Sequence, residues 1–369
     1  MEGALRLQQR FGPLYNFEFA NYSMGAASEL LNHVPVSERI EYKHLGLKFV
    51  RTYDDLGIER GVPSAAKAPE GTSTKVLFMG DSFIQGFGEI SVPQFAWEWV
   101  RPRLKNAPLR FLNAGSGSYS PAIYIPQARF IIPKLNPDLV VVDIDETDVG
   151  NDAYSYEPLV ERDASGQIER VRPSEKVTKF FGGLARASKS NWYVGKFLYK
   201  FFHTHIYMPM QLAKLERSER ATALKSEILI SDVSPGAPER YQNEIALFER
   251  NVGDLMDRLV SLMRTKDRIL FINHPHLYQV IPSPTAQGRL RYRHAATVVK
   301  RQSEKRGIAF YDATDDLLRM ANGHIESFYF PSDMHLNPVG IKAYGTLVGQ
   351  SLLPLVEEFR HSVKVVQTR

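Results

Sequence analysis

The run Lys75-Val-Leu-Phe-Met-Gly-Asp-Ser-Phe-Ile-Gln-Gly-Phe-Gly88 decides how this chain is read. Val76 to Met79 is a short apolar stretch of the length expected for a buried parallel strand. It stops at Gly80-Asp81-Ser82. A strand-to-helix turn there, with Gly80 allowing a sharp bend, would lift the Ser82 hydroxyl out of the sheet edge. Ser82 would then start a helix, where unpaired N–H groups and the helix dipole favour negative charge. A serine so placed is set up to attack a carbonyl whose oxygen becomes an oxyanion. Three such common residues are also what a plain capping turn uses, with Asp81 and Ser82 serving the next helix.

The far end of the chain favours the chemical reading. Ser332-Asp333-Met-His335-Leu-Asn337-Pro-Val-Gly340 sets an acid two residues before a histidine, ahead of a C-terminal helix expected over 337–359. A base and its orienting carboxylate on one loop complete the order Ser, Asp, His: Ser82 as nucleophile, His335 as base, Asp333 as its partner. Gly80-Asp81-Ser82 with Gly86, then Asn113-Ala-Gly115, then Asp333-Met-His335-Leu-Asn-Pro-Val-Gly340, together resemble the SGNH (GDSL) hydrolase family over about residues 70–355. The resemblance implies a three-layer, flavodoxin-like, doubly wound parallel sheet, no cofactor and no metal. It also implies an oxyanion hole that includes the N–H groups of Ser82 and Gly115.

The same resemblance exposes a departure. The family carries Gly-x-Asn-Asp after its third strand, and that Asn amide donates to the oxyanion. Here the strand Pro137–Val142 runs into Asp143-Ile-Asp145-Glu146-Thr147-Asp148-Val-Gly-Asn151-Asp152. Thr147-Asp148 stand in the Asn-Asp place, and the literal pair falls at Asn151-Asp152. Thr147 and Asn151 are therefore both candidate oxyanion donors, Thr147 with one fewer donor and less reach. Five carboxylates in ten residues also fit a hard-cation site, although the EF-hand spacing is missing, or an acidic loop open to solvent. Asp81, Asp148, His274 and His276 are candidate substrate contacts, the two histidines because His274-Pro-His276 follows a strand at the sheet's ligand-binding edge.

The remaining segments organise around that core. Residues 1–70 read as an N-terminal extension with helices within Leu5–Leu31, a strand within Tyr42–Thr52 and a turn at Asp54–Gly57. Residues 71–359 are the hydrolase-like domain. Helices are expected at 93–105, 121–135, 240–264 and 285–306, and strands at 110–113, 267–273 and 307–311. An insertion over 155–240 opens with a hairpin turn at Ser165-Gly-Gln. It continues into a helical, basic and aromatic stretch, Phe180–Glu219, suited to a lid, an interaction face or a membrane-surface helix. His203 and His205 within it receive no role. Residues 360–369 are read as a tail.

Composition narrows the classes. Of 369 residues 43% are hydrophobic and 24% charged, with a formal net charge of +5, which is ordinary for a globular protein and no nucleic-acid signature. The absence of cysteine removes disulfides and thiolate chemistry. No apolar run approaches a bilayer span and no export signal is visible, so membrane association is not indicated. The default compartment is the cytoplasm, or the periplasm or exterior if an export signal has been trimmed. The expected function is a serine ester hydrolase or O-acyl transferase on a small-molecule or glycan ester, with polysaccharide O-acetyl groups favoured and lipase or thioesterase roles behind. The alternative is a catalytically weak SGNH-like binder of carbohydrate or a partner.

Overall fold

A computed structural model describes residues 25–37, 39–44, 47–66, 73–105, 107–175, 178, 239–276, 279, 293–330 and 335–367. Two hairpins come first, β1 (Gly25–Ser28) with β2 (Asn32–Pro35) and β3 (Arg39–His44) with β4 (Leu47–Thr52). The helices expected up to Leu31 therefore give way to strand from Gly25 onward, and the single strand expected over 42–52 falls on both arms of a hairpin, the end of β3 and all of β4. Asp54 closes the expected turn, its carbonyl accepting from Gly57 N at 2.9 Å with Gly57 at φ 73°.

The core elements follow in the order of a doubly wound sheet. They are β5 (Thr74–Met79), α1 (Ser82–Gln85), α2 (Val92–Arg103), β6 (Leu109–Asn113), α3 (Pro121–Leu135), β7 (Leu139–Asp143) and α4 (Thr147–Gly150). A π-turn over Asn151–Tyr156 leads to the antiparallel hairpin β8 (Val160–Arg162) and β9 (Ile168–Val171), whose turn holds Gly166 at φ 82° as expected. Then come α5 (Glu239–Met263), β10 (Ile269–Asn273), α6 (His294–Arg306), β11 (Ala309–Asp312), α7 (Thr314–Met320) and α8 (Pro338–Gln367). The last helix runs past 359 to Gln367, where a tail was expected. The aromatic stretch Phe180–Glu219, with His203 and His205, lies outside the described residues.

Five strands pair in parallel in the order β11-β10-β7-β5-β6. Counted along the chain this is the 2-1-3-4-5 flavodoxin-like order, so the expected α/β fold class holds. Alternation along each strand divides the core. Leu77, Met79, Val140, Val142, Ile269 and Phe271 face α3, α5 and α6, and Val76, Phe78, Val141, Leu270 and Ile272 face α2, α7 and α8. α8 approaches α2 closely because Gly345 and Gly349 lie one helical turn apart. A Cβ on Gly345 would stand 2.7 Å from the Phe95 Cβ and 2.9 Å from the Val92 carbonyl oxygen.

The N-terminal region meets the rest of the fold through two isolated bridges. Glu59 bridges Asn113 at the free edge of β6, donating N to O at 3.0 Å, and Leu31 bridges Val171 of β9. Glu59 is buried with Arg51. Burial raises its pKa to about 7, although Arg51 and the Asn113 amide pull the other way.

Candidate active site

β5 stops at Gly80 because nothing larger fits: a Cβ there would lie 2.3 Å from the Ile84 Cγ1 and 3.1 Å from the Asp143 Cβ. Asp81 then caps the turn, its Oδ1 accepting from Phe83 N at 2.8 Å. Ser82 begins a helix of a single turn. The helix dipole expected there is therefore that of one turn, but the Ser82 N–H still has no partner four residues back.

The second half of the site is assembled by Leu336-Asn337-Pro338-Val339-Gly340. Asn337 Oδ1 accepts from the N–H groups of Val339 and Gly340 at 2.9 and 3.1 Å, and its Nδ2 donates to the carbonyls of Ser327 and Tyr329 at 2.7 and 3.0 Å. Pro338 fills the first helical position, where no N–H is required. Gly340 is needed for space, since a Cβ would meet the Phe328 carbonyl oxygen at 2.2 Å. This knot, with the Tyr329–Leu336 bridge and Phe330 N donating to the His335 carbonyl at 3.1 Å, sets His335 at the carboxyl edge of the sheet. His335 Nε2 lies 2.7 Å from Ser82 Oγ, across 253 residues of sequence. Asp333 lies outside the described residues.

The flavodoxin-like sheet thus carries a Ser–His pair at its carboxyl edge. No family model and no curated protein matches the chain. Solved structures that it resembles include a two-domain esterase (CEX) active on acetylated mannans, at 11% identity and a TM-score of 0.41, covering 77% of this chain and 50% of that one. The chain thus spans about half the length of that esterase. LAE5, an alpha/beta hydrolase from the metagenome of Lake Arreo, Spain, matches at 13% identity and a TM-score of 0.43, over 78% of this chain and 97% of that one. A catalytic mutant of Axe2, an acetylxylan esterase from Geobacillus stearothermophilus, matches at 12% identity and a TM-score of 0.42, over 79% and 96%.

The oxyanion side differs from the sequence expectation. The Gly115 N–H donates to Asn113 Oδ1 at 2.9 Å, and a Cβ on Gly115 would collide with Gln85 N at 2.5 Å. Gly115 is thus a packing glycine beneath α1 whose N–H is already used. The glycine beside Ser82 is Gly117, whose Cβ position is 4.0 Å from the Ser82 Cβ, and its N–H makes no hydrogen bond among the described residues. The signal for it was the second glycine of Gly115-Ser-Gly117. Thr147 is also committed elsewhere, its N and Oγ1 both donating to Asp145 Oδ1 at 2.8 and 2.6 Å. Its one hydroxyl proton is thus already used. Asn151 stands in the π-turn, and no hydrogen bond among the described residues joins its side chain to the Ser82 loop. Its neighbour Asp152 caps α3, accepting from Ser120 Oγ at 2.5 Å and Ala122 N at 3.0 Å, and accepts from Asn251 of α5 at 2.9 Å.

Nor is the acidic stretch open to solvent. Asp143, Asp145 and Asp148 are each at most 2% exposed, and they surround His274 and the back of Asp81. His274 Nδ1 is 3.3 Å from Asp143 Oδ1 and its Nε2 is 3.7 Å from Asp145 Oδ2, while the Tyr344 hydroxyl donates to Asp143 at 2.7 Å. Asp148 Oδ2 accepts from Asp145 N at 3.2 Å. Phe83 lies between this cluster and the site, its ring 4.1 Å from His274 and 5.2 Å from His335. Asp81, Asp148, His274 and His276, expected as substrate contacts, are all buried. Among the described residues no three His, Asp or Glu side chains converge to hold a cation. A cleft of about 540 Å³ lined by Arg60, Lys75, Arg110 and Lys134 opens at the amino ends of β5 and β6, the edge opposite Ser82.

The buried groups make stability depend on pH. Burial, then Asp145 and Asp143, raises Asp81 to about 7, and burial raises Asp152 to about 6 and Glu146 to about 8. Burial alone would lower His274, but Asp143 and Asp145 outweigh it and lift it to about 9. Each of these groups binds its proton more tightly folded than unfolded. The stability is full below the unfolded values and is lost as pH rises through the folded ones. His276, lowered to about 4 by burial, acts in the opposite direction, but only below its unfolded value near 6.5. The melting temperature is therefore expected to fall between about pH 6.5 and 9, by roughly 1–2 °C per kcal/mol lost. A melting series that is flat or rising over that range would contradict the assignment of these protons.

Proposed function

We propose that the chain is a serine ester hydrolase working through an acyl-serine intermediate. The observation that carries this is the 2.7 Å contact between Ser82 Oγ and His335 Nε2 at the carboxyl edge of the sheet. Ser82 Oγ attacks the ester carbonyl carbon as its proton passes to His335 Nε2. The carbonyl oxygen takes up charge beside the N–H groups of Ser82 and Gly117. The C–O bond to the alcohol then breaks, and His335 returns the proton to the leaving oxygen. Water, deprotonated by His335, releases the carboxylic acid and restores Ser82.

Asp333 is assigned to His335 by sequence position, two residues before it. Asp333→Asn is expected to lower kcat by roughly 10²–10⁴ with KM little changed, because the imidazolium loses its anionic partner. A kcat within threefold of wild type would move that role to another group.

O-acetylated xylan and mannan oligosaccharides are the substrates to try first, with p-nitrophenyl acetate as the generic probe. Acetate release from the glycans that disappears with Ser82→Ala supports a glycan O-acetyl esterase. Hydrolysis of p-nitrophenyl acetate alone would keep the serine chemistry and discard the glycan. The commitment of Thr147 to Asp145 favours one second reading, a binder of acylated glycan with a weak hydrolase site. Glycan binding without acetate release would select it.

A further inference from the structure

The hairpin of β1 and β2, outside the parallel sheet, reaches the loop that carries Gly117. His33 Nε2 stands 2.8 Å from the Gly117 carbonyl oxygen. Its ring packs edge-on to Tyr119, 5.1 Å between centroids, and the Tyr119 hydroxyl donates to the His33 carbonyl. From the other side the Tyr156 hydroxyl donates to the Ser118 carbonyl at 2.6 Å. What these contacts hold is a strained turn. Tyr119 N donates to the Ser116 carbonyl at 3.1 Å, and Ser118 sits at φ 64°, a conformation that costs a serine on the order of 1 kcal/mol or more. The peptide joining Ser116 to Gly117 is planar and trans, so fixing the Ser116 C=O toward Tyr119 turns the Gly117 N–H the opposite way. Its orientation thus depends on the carbonyls at 116, 117 and 118 being held together.

We propose that His33 is a positioning residue for the oxyanion hole: by donating from Nε2 to the Gly117 carbonyl, it keeps the Gly117 N–H beside Ser82. This rests on the serine-hydrolase reading above. Asn32 Nδ2 donates to the Arg172 carbonyl at 2.7 Å, which turns Asn32 Oδ1 toward His33 Nδ1 at 3.0 Å. Both ring nitrogens thus face acceptor oxygens, and the shorter contact is the one to Gly117. Burial holds the pKa of the ring below its usual value, so near neutral pH it carries one proton. The N-terminal extension, on this account, completes the active site as well as covering the sheet edge.

The test compares His33→Phe, which keeps an aromatic ring against Tyr119 but removes the donor, with His33→Ala and with His33→Gln, whose amide can donate to the same carbonyl. On p-nitrophenyl acetate, His33→Phe and His33→Ala are expected to lose about 10- to 100-fold in kcat, part of the loss that follows removal of an oxyanion donor. KM should move less than about threefold, and His33→Gln should recover most of the rate. Labelling of Ser82 by a fluorophosphonate should slow in parallel, since that reaction also places charge on an oxygen. Wild-type kcat in His33→Phe, with Ser82 still essential, would overturn this proposal alone. So would a rate that His33→Gln fails to restore while its melting temperature matches wild type. Full activity in Ser82→Ala would remove the hydrolase reading and this proposal with it. Should either donor-removing variant fail to fold, the other and His33→Gln carry the comparison.

Discussion

Ser82→Ala is expected to abolish hydrolysis of p-nitrophenyl acetate, lowering kcat by roughly 10³–10⁶ while leaving the melting temperature within a few degrees of wild type. The size follows from what the hydroxyl does in this site. Its oxygen lies 2.7 Å from His335 Nε2, where the proposed mechanism has it attack as its proton moves to the imidazole. Removing it leaves only water, positioned by the backbone donors, to attack the carbonyl. The fold should survive because Ser82 does not cap its own helix. Asp81 does that through Phe83 N, and the Ser82 hydroxyl otherwise meets only Asp81 Oδ2 at a long 3.4 Å. A variant that keeps a tenth of the wild-type rate would place the chemistry elsewhere.

His335→Gln is expected to cost nearly as much, and the double variant with Ser82→Ala no more than the worse single one. Groups that act as one unit are strongly non-additive, since a base without its nucleophile, or a nucleophile without its base, has little left to lose. Glutamine is the informative replacement. Its amide can still hydrogen bond to Ser82 Oγ, so the loss reports proton transfer and not the contact alone. The knot around Asn337 and Gly340 that sets His335 in place uses backbone and other side chains, so the variant should fold. Additive losses in the double variant would mean that the two residues serve separate steps.

The sheet and the Ser–His pair were legible for a plain reason. Val76–Met79, Leu139–Val142 and Ile269–Ile272 are continuous apolar runs because both sheet faces are covered, and each alternates with a helix of strong apolar periodicity. The two motifs carry their own local geometry. Gly80 and Gly340 are places where a Cβ has no room, and Asn337-Pro338 is a cap followed by a first helical residue.

What escaped the sequence was pairing over long distances. The carboxylates of 143–148 look like a solvated loop until His274, 131 residues away, is placed between Asp143 and Asp145. Each alone would be a surface signal, and only together can they be buried. That the Gly115 N–H is taken by Asn113 Oδ1 depends on where that side chain points, which the sequence does not show. Residues 25–31 carried helix-like spacing, yet they are held as strand and turn by Leu30 and Leu31 against Val171. Tertiary contact decided that segment.

The central claim is that two distant loops bring an activated serine to one edge of the sheet. Its most direct measurement is mass-spectrometric mapping of a fluorophosphonate adduct on the intact chain. The account predicts one adduct, on the peptide containing Ser82, with labelling lost in His335→Gln. An adduct on another serine, or equal labelling of Ser82 with and without His335, would contradict it.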